Sequence, residues 1–319
     1  MRSLKSVLVT GGAGFFGSAL VRKLLLRNEV ERLVVLDALT YAGDLRKLSG
    51  PNQDPRFHFV EGDINDSDLV ARILLEGGVT GTFHLAAESH VDHSILAPAD
   101  FIKTNVEGTS TLLEKTRAHG SPILICSTDE VYGTTPAHTR FSESAPLNPS
   151  SPYSASKASA DLLALAALKT YGQDIVISRC TNCYGPRQHS EKLIPRLIFH
   201  ALRDEALPIY GSGQQIRDWM HVDDCALGLI AAFEKGSSGQ VYHLGANSEH
   251  TNLGIARRIL KKLHKPETLI SHVTDRPGHD VRYALDVRRS LQSLSWKARI
   301  PFRAGFEETV RELASELRI

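Results

Sequence analysis

Val7-Leu8-Val9-Thr10-Gly11-Gly12-Ala13-Gly14-Phe15-Phe16-Gly17 decides how the rest of the chain is read. An aliphatic run passes into a glycine-rich turn, and the apolar residues that follow begin a helical pattern over 15–27. Gly12, Gly14 and Gly17 meet the spacing G-x-G-x-x-G, and Gly11, Gly14 and Gly17 meet G-x-x-G-x-x-G. Glycine permits a tight turn and lets backbone N–H groups close on a pyrophosphate at a helix N-terminus, where the helix dipole favours negative charge. Such a motif is informative between a strand and a helix, and this one lies there.

The same alternation continues outward. Strands are predicted over 4–10, 32–36, 57–61, 82–85, 123–126 and 175–179, and helices over 15–27, 66–75, 99–119 and 154–171. The strands are apolar on successive residues, as expected when both faces of a sheet are covered. Repeated strand–helix–strand units predict an α/β fold with a doubly wound parallel sheet. After residue 180, prolines and glycines break the rhythm, and helices are predicted over 194–204, 223–234, 252–264 and 305–317. This predicts a smaller, mixed C-terminal domain closing over the carboxyl edge of the sheet. The expected division is 1–179 for the dinucleotide and 180–319 mainly for the substrate, with segments around 217–244 returning to the first domain.

Composition narrows the function classes. In 319 residues, 37 Lys and Arg balance 36 Asp and Glu, for a net charge of +1. That balance argues against bulk electrostatic binding to nucleic acid or an anionic membrane. An apolar share of 42% and a charged share of 23% are ordinary globular usage. Four Cys are too few for a disulfide scaffold. The triplet Val7-Leu8-Val9 is too short for a signal-peptide core, and the apolar run 162–168 is far short of a membrane span. A cytoplasmic location is expected. The run 162–168 exceeds the stripe that one buried helix face needs, which points to a second subunit packing there.

Chemistry-bearing residues fall at strand ends. Asp37 closes the second strand, 23 positions after Gly14, near the spacing of about 20 for an acid that binds the adenosine ribose. A carboxylate there repels a 2′-phosphate, so NAD is expected over NADP. Tyr153 and Lys157 form Y-x-x-x-K, an i, i+4 pair that shares one helix face. A lysine beside a phenol is expected to lower the phenol's pKa and make it a base toward a hydroxyl. Asp129 and Glu130 follow the strand that ends near Ser127. They read either as turn caps or as an acid–base pair driven apart by burial and repulsion. Cys180-Thr181-Asn182-Cys183 is a lone C-x-x-C, and His90, Asp92 and His93 gain no third ligand from spacing, so no metal is expected.

The motifs TGGAGFFG at 10–17, DALTYAG at 37–43, GDI at 62–64, HLAAESHVD at 84–92, STDEVYG at 127–133, SPYSASKAS at 151–159, GPRQHSEKLIP at 185–195, PIYGSGQQIRDW at 208–219 and DRPGHDVRYALD at 275–286 span nearly the whole chain. Through them the sequence resembles the extended short-chain dehydrogenase/reductases, and among these the dTDP-glucose 4,6-dehydratase family. Related sugar-nucleotide epimerases lack the acidic pair at 129–130.

The resemblance implies a Rossmann-like fold and an NAD-dependent lyase acting on a nucleoside diphosphate glucose. It implies that Tyr153 takes the C4 hydroxyl proton, Lys157 positions the nicotinamide ribose, Thr128 bonds the C4 oxygen, Glu130 removes the C5 hydrogen and Asp129 protonates the departing C6 hydroxyl. It assigns Gly11, Gly14, Phe15, Phe16, Gly17, Asp37, Leu39, Thr40, Asp63, Ile64, Leu85, Ala86, Ala87, Thr104 and Cys183 to the cofactor. It assigns Ser89, Asn182, Lys192, Leu193, Pro208, Ile209, Tyr210, Arg217, Asn252, Asp275, Arg276 and His279 to the substrate. A homodimer through helices 99–119 and 154–171 is expected. The chain departs from the family pattern at Cys183, where Asn is usual, at His93, where Arg is usual, and at Phe16, where Ile is usual. The alternatives are a 4-epimerase or decarboxylase on the same scaffold, and a non-catalytic NAD or sugar-nucleotide binding module.

Overall fold

The computed structural model describes residues 1–316. Residue 317, the end of the last predicted helix, lies outside the described residues. In chain order the first elements are β1 (Ser6–Thr10), α1 (Phe15–Leu25), β2 (Arg32–Asp37), β3 (Phe57–Glu61), α2 (Ser67–Glu76), β4 (Gly81–His84), α3 (Val91–Leu96), α4 (Pro98–Phe101), α5 (Gly108–His119), β5 (Ile123–Thr128), α6 (Pro152–Tyr171) and β6 (Ile175–Cys180). Then come β7 (Asn182–Tyr184), α7 (Leu193–Leu202), β8 (Leu207–Tyr210), β9 (Ile216–His221), α8 (Val222–Lys235), β10 (Val241–Leu244), β11 (Glu249–Thr251), α9 (Asn252–Leu263), β12 (Ile270–Val273), α10 (Arg288–Leu294) and α11 (Phe302–Glu316).

Successive strand residues point to opposite faces, so a run such as Val7-Leu8-Val9 must be apolar throughout when both faces are covered. Val7, Val9, Leu33 and Val35 pack into one layer with Leu20 and Leu24 of α1 and Leu229 and Phe233 of α8. Leu8, Val34 and Leu36 pack into the other with Leu74 of α2, Leu112 of α5 and Ala164 of α6. The sheet has seven strands in the order β10-β6-β5-β4-β1-β2-β3, every pairing parallel. This is a doubly wound, Rossmann-like α/β fold. β1 pairs with β2 on one side and β4 on the other. Strand order reverses there, and a crevice opens at the carboxyl ends.

Three expectations differ from the structure. The outer strand β3 is not uniformly apolar, since His58 and Glu61 are exposed, as suits the edge of a sheet. The helix expected over 99–119 is broken by a π-helical stretch, Ile102–Glu107. There the Asn105 amide donates to the Glu88 carbonyl and to Ser156 Oγ, and its oxygen accepts from the Glu88 amide, which locks the widened turn beside the crevice. After residue 180 the chain also contains strands that local pattern did not predict, in a three-stranded sheet β11-β9-β7 and a two-stranded sheet β12-β8. α7, α9 and α11 pack around a separate core of Ile194, Leu197, Ile198, Ile255, Ile259, Phe306 and Val310.

Two elements of this second half lie on the large sheet. β10 pairs with β6, and α8 packs on α1. α6 is fixed at both ends, by a Ser151/Ser154 capping box with Pro152 in its first turn, and by Gly172 in the left-handed region. Its small residues Ala158, Ala160, Ala164 and Ala167 are buried, while Leu162 is 57% exposed.

Candidate active site

Three glycines shape the floor of the crevice. Gly11 has φ +71°, and a Cβ there would fall 2.6 Å from the Ala86 amide nitrogen. A Cβ on Gly17 would fall 2.1 Å from the Gly11 carbonyl oxygen. Gly12 instead backs onto Val35. The G-x-x-G-x-x-G reading is therefore the one that faces the crevice. Gly14 caps α1 without a side-chain hydrogen bond, which leaves the first amides of the helix free for an anion. Asp37 holds the loop in shape, since its two oxygens accept from the amides of Ala13 at 2.8 Å and Leu39 at 2.9 Å. A carboxylate offers about four acceptor sites, so capacity remains for further donors.

At the exit of β5 a 3-10 turn, Asp129–Tyr132, begins on Thr128 and ends on Gly133 at φ +72°. The cap is the Thr128 hydroxyl, which accepts from the Glu130 amide at 3.2 Å. The two carboxyls are thus not the capping groups of this turn. Asp129 is 2% exposed, and its Oδ2 has no hydrogen-bond partner. Burial pushes its carboxyl well above the usual range, and the neighbouring Glu130 adds to this. Burial also raises Glu130, but Arg276, Arg217 and Lys192 pull it back. Both carboxyls are thus raised, with Arg217 opposing the rise at Asp129 and Arg276, Arg217 and Lys192 opposing it at Glu130.

Tyr153 and Lys157 rise from the first two turns of α6 into the same crevice. Here one expectation is corrected. Lys157 Nζ donates to the Cys126 carbonyl oxygen at 2.8 Å, so its strongest contact is not the phenol. Burial, with Glu130 next, pushes the Tyr153 phenol well above its ordinary value, and a hydrogen bond with Thr128 acts the other way. Desolvation outweighs any lowering by the lysine.

One cleft is lined by Gly11, Gly14, Phe15, Phe16, Gly17, Asp37, Thr40, Asp63, Ile64, Leu85, Ala86, Ala87, Thr104, Thr128, Asp129, Glu130, Tyr153, Lys157 and Cys183. An adjoining depression is lined by Ser89, Asn182, Lys192, Leu193, Pro208, Ile209, Tyr210, Arg217, Asn252, Arg276 and His279. Ser89, Glu130, Asn182, Cys183 and Lys192 border both. Two candidates do not line either. Leu39 sits at φ +48° and packs against the core beneath the loop. Asp275 is exposed, and it accepts from His279 Nδ1 at 2.6 Å and Gln215 Nε2 at 2.9 Å.

Sequence reasoning missed several wall residues. Lys47 is buried, and its Nζ donates to the Ala42 carbonyl. Gln188 donates to the Cys183 carbonyl at 2.9 Å. Arg196 lines the depression four residues after Lys192, a helical spacing that could have marked it. The C-x-x-C cysteines lie with Cys126 and Cys225 as four buried free thiols, with Cys180 and Cys225 sulfurs 3.8 Å apart. Their pKa values are all raised, the mark of unreactive thiols.

A family model described as GDP-mannose 4,6 dehydratase matches residues 8–309. The chain belongs to this family. Within it, a curated dTDP-glucose 4,6-dehydratase from Actinoplanes sp. is 44% identical over 310 residues, covering 95% of this chain and 96% of the relative. The crystal structure of the dTDP-glucose 4,6-dehydratase DesIV from Streptomyces venezuelae, with NAD and TYD bound, gives a TM-score of 0.95 at 44% identity, covering 98% of this chain and 97% of that one. The Bacillus anthracis str. Ames dTDP-glucose 4,6-dehydratase in complex with NAD gives 0.91 at 40% identity, covering 98% and 97%.

Proposed function

We infer that the chain catalyses the NAD-dependent dehydration of dTDP-glucose to the 4-keto-6-deoxy sugar nucleotide. The observation that carries this reading is the pair at the end of β5, a buried carboxyl that burial holds well above the usual range next to a carboxylate faced by three cations, with Tyr153 in the same cleft. The glycine cradle fits a dinucleotide, because the Gly11 and Gly17 turns admit no Cβ and the α1 amides are free.

NAD, when bound, would supply the acceptor for the hydride from sugar C4 and the donor that delivers it to C6. Gly11, Gly14, Phe15, Phe16 and Gly17 would hold its pyrophosphate, and Asp37 with Thr40 would hold the adenosine ribose and disfavour a 2′-phosphate. Asp63 and Ile64 would meet the adenine, and Leu85, Ala86, Ala87, Thr104 and Cys183 line the same cleft. Tyr153, as the phenolate that the nearby Lys157 charge and a bound cationic nicotinamide would favour over the buried neutral phenol, would accept the C4 hydroxyl proton while Thr128 bonds the C4 oxygen. Lys157 orients the nicotinamide ribose. The ketone at C4 acidifies C5, Glu130 takes the C5 proton, and Asp129 gives its proton to the C6 hydroxyl, which leaves as water; when the hydride reaches C6, Glu130 returns its proton to C5. Lys192, Arg217 and Arg276 offset the diphosphate charge.

On this reading residues 1–179, with returning segments around 217–244, serve the cofactor, and most of 180–319 serves the sugar nucleotide. The exposed Ile102, Leu162 and Tyr171 mark the face through which we expect a homodimer to form. No helix among the described residues is long and apolar enough to cross a membrane. The free thiols accord with a cytoplasmic location, which completes the proposal.

The test is incubation of the purified protein with dTDP-glucose and with uridine, cytidine and guanosine diphosphate sugars. The expected product has lost one water and carries a 4-ketone, fastest from dTDP-glucose. A product that keeps its C6 oxygen, or that loses carbon dioxide, would overturn the reading in favour of an epimerase or decarboxylase.

A further inference from the structure

His90 and His93 lie three residues apart on the loop after β4 and the first turn of α3, a spacing that offers two metal ligands and no third. The fold supplies the third from a distant stretch of chain. Glu191, just before α7, reaches the pair, and the ligating atoms of His90, His93 and Glu191 all lie within 4.8 Å of one another. Glu191 Oε2 is 4.0 Å from His90 Nε2 and 3.8 Å from His93 Nε2. Asp92 takes no part, since it accepts from the Tyr210 hydroxyl at 2.9 Å and pairs with Arg276.

A second observation is independent of this spacing. Glu191 Oε1 and His189 Nδ1 are buried polar atoms without a hydrogen-bond partner, although they stand only 3.5 Å apart. Groups left unsatisfied in this way call for a partner. We propose that His90, His93 and Glu191 form a site for a divalent transition-metal ion, zinc above all, at the mouth of the cleft, and that the ion clamps its two flanking loops and slows turnover.

The donor set selects the ion. Two imidazole nitrogens and one carboxylate oxygen are a zinc set with one position open to water, whereas Mg²⁺ and Ca²⁺ take oxygen donors. Donors about 2.0–2.2 Å from a tetrahedral centre lie roughly 3.3–3.6 Å apart, so the separations of Glu191 Oε2 from the two imidazoles need to shrink by about half an ångström. His189 is placed to hold the second carboxylate oxygen, as outer-shell partners of metal ligands do. Coordination through His90 Nε2 moves the ring proton to Nδ1 and ends the bond that Nδ1 accepts from the His93 amide. At 3.4 Å that bond is weak, and little is lost.

The position explains the clamp. His90 and Glu191 border the depression that also holds Ser89 and Lys192. One ion would tie the loop after β4 to the loop before α7 and restrict passage between them. His93 is a half-exposed rim residue and lines neither the cleft nor that depression. It also stands where the family resemblance leads one to expect arginine, so this ligand departs from the family pattern.

Metal-stripped protein is titrated with Co²⁺ and followed by its visible d–d bands, then with Zn²⁺ in competition. One Co²⁺ per chain is expected, displaced by Zn²⁺, with affinity at least tenfold weaker in His93→Ala and in His93→Arg. Only the effect on turnover rests on the functional reading above. Zinc is expected to slow wild-type turnover, while His93→Ala matches the wild type without zinc and resists it. Absence of stoichiometric binding, undiminished binding by His93→Ala, or near-ultraviolet thiolate-to-metal bands that place the ion on the cysteines would each overturn the site. Binding that depends on His93 but leaves turnover unchanged would overturn the clamp alone.

Discussion

The Lys157 ammonium donates to the Cys126 carbonyl oxygen at 2.8 Å, tying the second turn of α6 to the last residues of β5. Lys157 is 4% exposed, and burial holds its pKa below the ordinary lysine value. Lys157→Met keeps the stem and removes the charge. Turnover is expected to fall by roughly 10²-fold or more. Lys157→Arg is not expected to restore it, because a planar guanidinium does not replace a compact ammonium in an enclosed site. Steady-state turnover of both variants checks this.

The cradle glycines are expected to separate fold from binding. A Cβ on Gly17 meets backbone at 2.1 Å and 2.6 Å, so Gly17→Ala should cost about 1–3 kcal/mol of stability through overpacking. A Cβ on Gly14 meets only the Gly11 carbonyl oxygen, at 3.2 Å, and otherwise faces the space a cofactor would use. Gly14→Ala should stay within about 1 kcal/mol of the wild type in denaturant unfolding while binding NAD at least tenfold more weakly.

Asp129 should trade stability for function. Its carboxyl is raised in the folded protein, by burial first and Glu130 second. The unfolded chain therefore ionises more readily, and stability present below about pH 4 is lost as pH rises toward the folded pKa. Asn has no proton to lose. Asp129→Asn should thus melt at a higher temperature than the wild type at about pH 8, the gap closing toward about pH 4, while dehydrating far more slowly. Thermal unfolding across this range, with an assay beside it, tests both halves.

Behind the reactive turn, Arg179 Nε donates to Asp161 Oδ2 at 2.8 Å, and Arg179 also donates to the Tyr132 hydroxyl. That hydroxyl bonds His243 Nε2 at 2.6 Å. Asp161 and Arg179 are 0% and 2% exposed. Arg179→Met leaves the Asp161 carboxylate buried without its partner, which should cost about 3–5 kcal/mol in denaturant unfolding. A loss under about 1 kcal/mol would show that the pair does not carry this turn.

The legible parts of the molecule were those written in local sequence. β1, the glycine turn and α1 are contiguous, so spacing alone placed Gly11, Gly14 and Gly17. Asp129 and Glu130 were legible because a parallel strand must deliver its next residues to the crevice. Partners across the fold were not. The Lys157 contact with Cys126 spans 31 residues, and the approach of Glu191 to His90 depends on how two loops meet. Leu39 and Asp275 sit among true lining residues, yet a left-handed backbone turn and an intervening His279 set them aside. The short strands β7, β8, β9, β11 and β12 draw their order from pairings that local periodicity does not encode.

The most direct test of the central claim is a single turnover of Glu130→Gln with dTDP-glucose, following nicotinamide absorbance and water loss together. The account predicts that reduced nicotinamide forms and persists while dehydration slows by roughly 10²–10⁴-fold, because the C5 proton has lost its acceptor. Water release at the wild-type rate would contradict it.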